Sequence, residues 1–161
     1  MAACLTGCSP DYNWREVSLA DGVVVAIFPD KPRTQTKVVP FAGHDIPFSM
    51  TGTILGDTVF AVGHAPLPPE VGQNPEQRNT MYRQVIQSYY GNLGLPMPDA
   101  LPAPGHRFSA QGQGPKGPLR IDGIVWMHAG SMTQALVTAP TSQFPEPQAD
   151  EFFRAVKAPG N

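Results

Sequence analysis

Ile46-Pro47-Phe48-Ser49-Met50-Thr51-Gly52-Thr53-Ile54 is the stretch that decides the fold, because it has the clearest period of two in the chain. Mainly apolar residues fall on one face and mainly small polar residues on the other, as in a half-buried β-strand. Gly56-Asp57 follows, and residues 58–65 form a second strand-like run. Because glycine supplies the positive φ of a two-residue turn, the segment predicts a β-hairpin with a type I′ or II′ turn.

Further strands are predicted on both sides of this hairpin from alternating or continuously apolar runs that end at glycine or proline. Residues 23–28 are apolar on both faces and rich in β-branched side chains, which predicts a central strand. The strands predicted outside the hairpin are residues 14–19, 23–28, 36–41, 106–110, 119–128 and 132–139.

Two helices interrupt and close this series of strands. Asn74 is a typical helix cap, and Gln77 three residues later completes a capping-box pattern for a helix over residues 75–92. A closing helix is predicted near the end of the chain, with Phe152 and Phe153 on its apolar face. The order β-β-β-β-β-α-β-β-β-α predicts an α+β fold: a mostly antiparallel sheet of about six to eight strands with two helices packed on its faces.

Composition excludes several classes of function. The net charge of −2 and the lack of a basic patch argue against nucleic-acid binding. The two cysteines lie only four residues apart near the start of the chain, so no disulfide framework holds the domain. We expect no cofactor, no metal and a monomer.

Leu5-Thr6-Gly7-Cys8 is the most informative short motif. It resembles the lipobox of bacterial lipoproteins, in which the cysteine thiol accepts a diacylglycerol group and becomes the first residue of the mature protein. The resemblance implies a lipid anchor at Cys8 and a domain in the bacterial cell envelope. In that family Ser9 after the cysteine favours the outer membrane, with the domain facing the periplasm.

Only four residues precede the lipobox, fewer than a secretory signal needs. We therefore expect residues 1–13 to be a truncated signal segment and a flexible tether, and residues 14–161 to form one globular domain. Three other interpretations of Cys4 and Cys8 remain open: a short-loop disulfide, part of a metal site, or two unmodified thiols.

The order of elements after Trp14 resembles the PsbP-like α/β/α sandwich. The matching features are the early strand that ends at Ile27-Phe28-Pro29, the central hairpin, the helix near residue 80, the later hairpin and the terminal helix. That family includes assembly factors, photosystem accessory subunits and envelope proteins. The resemblance implies a fold but no particular functional residue.

Catalytic patterns are absent from the sequence: no serine lies in a nucleophile elbow and no glycine-rich loop joins a strand to a helix. His44-Asp45, in a polar loop between strands, and His64 are the candidates for a general base or a ligand. Tyr82, Tyr89 and Tyr90 of the middle helix could form the floor of a small-molecule or peptide groove; for Tyr82 and Tyr89 packing against the sheet is favoured, and Tyr90, off the apolar stripe, is the candidate for ligand contact. Solvated or packed side chains are the alternative for all of these candidates.

Two hypotheses follow from these observations. The first is a non-enzymatic envelope lipoprotein, anchored through Cys8, that serves as an interaction or assembly module for a protein partner in the envelope. The second is a small-ligand-binding or hydrolytic domain that uses His44, Asp45 and His64, and it requires these side chains to meet in one pocket.

Overall fold

The computed structural model describes residues 12–160, and Cys8 with its lipobox lies outside this range. The β-strands are β1 Arg15–Leu19, β2 Val24–Phe28, β3 Arg33–Phe41, β4 His44–Leu55, β5 Thr58–Pro66, β6 Phe108–Gly114, β7 Gly117–Met127 and β8 Ser131–Pro140. The α-helices are α1 Pro69–Gly72, α2 Pro75–Asn92 and α3 Glu146–Ala155. A single 3₁₀ turn lies at Thr141–Gln143, whereas Ala20–Gly22 between β1 and β2 is a tight turn with positive φ at all three residues.

Six strands form one antiparallel sheet in the order β3-β4-β5-β8-β7-β6. The predicted hairpin is confirmed: Leu55 pairs with Thr58, and Gly56 in the turn between them has a φ of 62°. Helix α2 also begins and ends where the pattern predicts. The α+β fold with an antiparallel sheet and helices is therefore confirmed.

The composition of residues 23–28 predicted a central strand, and for the large sheet this prediction is wrong. β2 pairs with no strand of the large sheet: it pairs with β1 and, through an isolated bridge from Val25, with Lys157. β1 and β2 form a separate hairpin that packs across one face of the large sheet. Val24, Ala26 and Phe28 are fully buried against that face, while the intervening residues are partly exposed. A hairpin sandwiched against a sheet needs as many apolar residues as a central strand, so composition alone does not distinguish them.

The two faces of the large sheet carry different cores. Helix α2 covers one face, which we call the groove face, and packs there with Phe48, Phe108 and Met132. The β1–β2 hairpin and α3 cover the opposite face, where Phe60 and Phe152 are central. Each face thus buries its own set of alternating residues along every central strand.

Burial switches faces along β4. Ile46 and Phe48 are buried on the groove face, but Ile54 on that same face is 73% exposed, while Thr51 and Thr53 are buried on the opposite face. The sequence pattern placed Ile54 on the buried face, and this prediction of burial is wrong for the last residues of the strand. At this end of β4, α2 does not reach the groove face, so Ile54 stays exposed. The β1–β2 hairpin covers the opposite face there.

A network of charged side chains joins α3 to the sheet. Asp122 on β7 is almost completely buried and accepts hydrogen bonds from Arg107, Arg120 and Ser109. The two arginines also pair with Asp150 and Glu146 of α3. Two layers of the fold are therefore joined by polar as well as apolar contacts.

Candidate functional site

An apolar groove lies between α2 and the β3–β4 side of the sheet. Its volume is about 530 Å³, within the range of small-molecule sites. The lining residues are Lys37, Val39, Phe41, Ile46, Phe48, Met50, Ala65, Met81, Gln84, Val85, Ser88, Tyr89, Asn92, Ile121, Met132, Gln134, Leu136 and Thr138. From Met132 to Thr138, six residues along β8, the floor extends about 20 Å at ~3.4 Å per residue.

Small residues in the middle of the sheet create this space. On the groove face β5 presents Ala61, Gly63 and Ala65, none of which rises far above the backbone. A Cβ at Gly63 would lie 2.6 Å from the Phe48 ring and 2.8 Å from the Gln134 side chain. Glycine therefore lets these two side chains lie flat across β5 and form the floor of the groove.

Helix α2 forms the second wall. Asn74 begins the helix, with its side-chain oxygen accepting the backbone N–H groups of Glu76 and Gln77 at 3.0 and 3.3 Å. Met81 and Tyr89 are buried beneath the helix, whereas Gln84, Ser88 and Asn92 form a row at i, i+4 and i+8 that is exposed at the rim. The groove thus has an apolar floor and a polar edge.

Two polar groups of the groove lining differ in their access to water. Lys37 is the only charged side chain among the lining residues, and its Nζ lies 5.9 Å from the centre of the Phe48 ring. Tyr89 is buried, and its Oη has no hydrogen-bond partner among the described residues. Burial raises the pKa of the Tyr89 phenol, so the hydroxyl stays protonated and remains a donor.

The structure does not bring His44, Asp45 and His64 together. The sequence predicted that His44 and Asp45 lie in a loop, but they are the first two residues of β4 and pair with Phe41 and Pro40. Neighbouring residues of a strand point to opposite faces, so their side chains diverge. His64 pairs with Ser49, which shares a face with Asp45 but lies four residues, or about 13 Å, farther along the strand.

The side chain of His64 lies on the face of the sheet opposite the groove. Its Nδ1 shares a hydrogen bond of 3.1 Å with the hydroxyl of Thr133, which is fully buried on β8. Burial lowers the pKa of His64, so the neutral ring is favoured near neutral pH. This ring therefore acts as a packed, hydrogen-bonded side chain of the sheet.

Tyr90 lies beside the groove rather than in it. It is partly exposed and packs against the cluster of Leu93, Ala110 and Ile121, whereas its neighbour Tyr89 lines the groove. Within residues 12–160, no group of three or more His, Cys, Asp or Glu side chains is placed to hold a metal ion. None of the helices in that range is long and apolar enough to cross a membrane.

Of the three tyrosines that the sequence offered for a groove, only Tyr89 lines this one, and the position of the groove against β5 was not predicted. A signal for it exists in the alternation of β5, where Ala61, Gly63 and Ala65 are small on one face and Phe60 and Val62 are large on the other. Such a strand packs closely on one side only. Which helix covers the small face, and how closely, depends on tertiary structure and is not encoded in that local pattern.

Comparisons of the chain with protein-family models, with curated proteins and with solved structures find no match. The groove and the sequence motifs are therefore the basis for a functional proposal.

Proposed function

We propose that this protein is a non-enzymatic lipoprotein of the bacterial cell envelope whose domain binds an acyl chain with an anionic head group in the groove between α2 and the sheet. The observation that carries the proposal is the groove: about 530 Å³ of mainly apolar space with one cation, Lys37. Membrane attachment through Cys8, an outer-membrane location facing the periplasm and an envelope protein partner belong to the same proposal.

An elongated apolar ligand fits the shape and the chemistry of the site. The floor is built from aliphatic, methionine and aromatic side chains, and each buried methylene of a ligand contributes about 0.8 kcal/mol. Lys37 stands on the exposed edge strand β3, where its ammonium group can meet a carboxylate or phosphate without leaving water.

The arrangement of the titratable groups favours binding over catalysis. Lys37 has no acid or histidine beside it among the lining residues. General acid–base or nucleophilic chemistry needs a positioned partner within hydrogen-bond reach of the reacting group. Of the residues of the hydrolytic alternative, His44 and Asp45 point to opposite faces of β4, and His64 on β5 lies about 13 Å from Asp45 along the sheet.

Ligand binding is tested with a fluorescent fatty acid and two tryptophan variants of α2. Ser88 lines the groove and is exposed at its rim, so Ser88→Trp places an indole in the groove with little effect on folding. Gln87 is its exposed neighbour outside the groove, and Gln87→Trp is the matched control. If the indole displaces about three methylenes, the loss is about 2.4 kcal/mol, or roughly fifty-fold in Kd.

Equal affinities of the two variants would contradict binding in the groove. Folding of both variants is checked by urea denaturation, so that lost binding is not confused with lost structure. A neutral long-chain alcohol is the second probe. It should bind with lower affinity than the fatty acid if Lys37 contributes.

The membrane anchor is tested separately on protein isolated from its own cells. Mass spectrometry of the native N-terminus should show an acylated Cys8, and fractionation should place the protein in the outer membrane. An unmodified thiol, or native protein free in the cytosol, would refute this half of the proposal and leave the groove result unaffected.

A further inference from the structure

The chain enters the domain at one end of the sheet. Tyr12, the first residue described, stacks on Trp14 with ring centres 5.6 Å apart and meets Phe60 edge-on at 6.2 Å. The backbone N–H of Asn13 donates to the carbonyl of Pro29 at 3.0 Å. Phe60 pairs with Thr53, next to the β4–β5 turn, so these contacts hold the start of the domain near that turn.

The same end carries the most exposed large apolar side chain among the described residues. Ile54 is 73% exposed and lies one residue before Leu55, which leads into the turn formed by Gly56 and Asp57. We call residues 54–57 the turn end of the sheet. Lone exposed apolar residues are common and need no explanation by themselves, but this one lies at the end where the chain enters.

Chain length connects these two observations. Cys8 is four residues before Tyr12, and four residues span at most about 14 Å. An acyl group on Cys8 would therefore hold Tyr12 within about 14 Å of the lipid surface, and Tyr12 contacts Phe60, which lies three residues after the turn. The opposite end of β4 lies beyond that reach, because His44 is ten residues, or about 34 Å, from Ile54.

We infer that the turn end of the sheet rests on the lipid bilayer, with Ile54 inserted among the head groups and the long axis of the sheet directed away from the membrane. This inference rests on the proposed acylation of Cys8. Charge at this end is nearly balanced: Arg15, Lys31 and Arg33 are exposed, as are Asp57 and Asp30, the partner of Arg15 at 3.9 Å. The contact is therefore expected to depend little on salt.

The test uses the acylated full chain in vesicles of phosphatidylethanolamine and phosphatidylglycerol. Ile54→Cys and, as the matched control, Val38→Cys are labelled with an environment-sensitive NBD dye. Val38 is an apolar residue of the same sheet that is 62% exposed, and its partner Pro47 lies seven residues, or about 24 Å, from Ile54 along β4. Mass spectrometry establishes acylation of Cys8 in each sample.

At position 54 we expect a blue-shifted NBD emission that doxyl-labelled lipids quench. At position 38 we expect the emission of NBD in water, without quenching. If the protein is acylated and bound to vesicles but NBD at both positions emits as in water, the inference is overturned and the anchor stands. The same holds if lipids quench NBD at position 38. An unmodified Cys8 with no vesicle binding would overturn the anchor and this inference together. Fatty-acid binding in the groove is measured independently of all three outcomes.

Discussion

Asp122→Asn removes the central charge of the network that joins α3 to the sheet. The Asp122 side chain is 2% exposed, while those of Arg107 and Arg120 are 29% and 17% exposed. Breaking a buried ion pair by removing one partner costs about 3–5 kcal/mol. Because water reaches both arginines, we expect the low end, about 3 kcal/mol of unfolding free energy.

Urea denaturation measures this loss directly, and thermal unfolding should show a fall in Tm of about 6–12 °C, at 2–4 °C per kcal/mol for a chain of this size. The matched control is Asp150→Asn, which removes a carboxylate from the same network. Asp150 accepts from Arg107 at 2.5 Å, but its side chain is 51% exposed. Its loss should cost less than about 1 kcal/mol, as for other exposed pairs.

The pH dependence gives a second measurement of the same interaction. Burial alone would raise the pKa of the Asp122 carboxyl, but hydrogen bonds from Arg120, Ser109 and Arg107 outweigh it and lower the pKa below its ordinary value. The stabilisation is thus fully present above the ordinary pKa of about 4 and is lost as pH falls through the lower folded pKa. The stability difference between the native protein and Asp122→Asn should therefore shrink in acid.

Equal stability of the Asp122 and Asp150 variants would refute this reasoning. It would mean that the arginines find other acceptors as readily as they find the buried carboxylate. A difference that stays constant from neutral pH down to strong acid would refute the electrostatic cause, since protonation must remove it.

Three further predictions concern the groove and the backbone. Tyr89→Phe should raise the unfolding free energy by about 1 kcal/mol in urea, because it removes a buried hydroxyl without a partner; a loss of stability would show that the hydroxyl is bonded. Lys37→Gln should weaken fatty-acid binding by about two- to five-fold in fluorescence titration, as expected for an exposed ion pair, and should leave a neutral alcohol unaffected; equal effects on both probes would contradict a role for charge. Gly72→Ala should destabilise the fold by about 1–3 kcal/mol, since its Cβ would lie 1.7 Å from the carbonyl oxygen of Ala129. Gly91→Ala near the end of α2, where a Cβ would meet no atom within 4 Å, should stabilise it by about 0.5–1 kcal/mol. Calorimetry distinguishes the loss of stability from the gain.

The elements were predictable because their signals are local. The turn at Gly56, the cap at Asn74 and the apolar stripe of α2 each depend on a few neighbouring residues. The reciprocal half of the predicted capping box is an exception, because the backbone N–H of Asn74 bonds to the carbonyl of Val71 in the short helix α1. That helix was not predicted, since four residues after Pro68 provide little periodicity.

Relations between elements were less predictable. Residues 23–28 have the composition of a central strand but form one strand of the hairpin that covers the sheet. A central strand and a covering hairpin both bury an apolar face, so composition alone does not distinguish them. Asp122 and Arg120 are two apart on β7 and therefore share a face. Their partner Arg107 lies in the loop just before β6, so the buried network could be predicted only with the pairing of β6 and β7 known.

The candidate site shows the same limit more clearly. His44, Asp45 and His64 carry chemically versatile side chains, yet strand alternation separates His44 from Asp45, and about 13 Å along the sheet separates Asp45 from His64. The groove depends on residues with little chemistry of their own: Gly63 and Ala65 leave space, and Phe48 fills part of it. A binding site made by the absence of side chains gives no motif, so it is found only when the covering helix is in place. The consequence for this protein is that its specificity should respond more to the volume of groove residues than to the identity of its histidines.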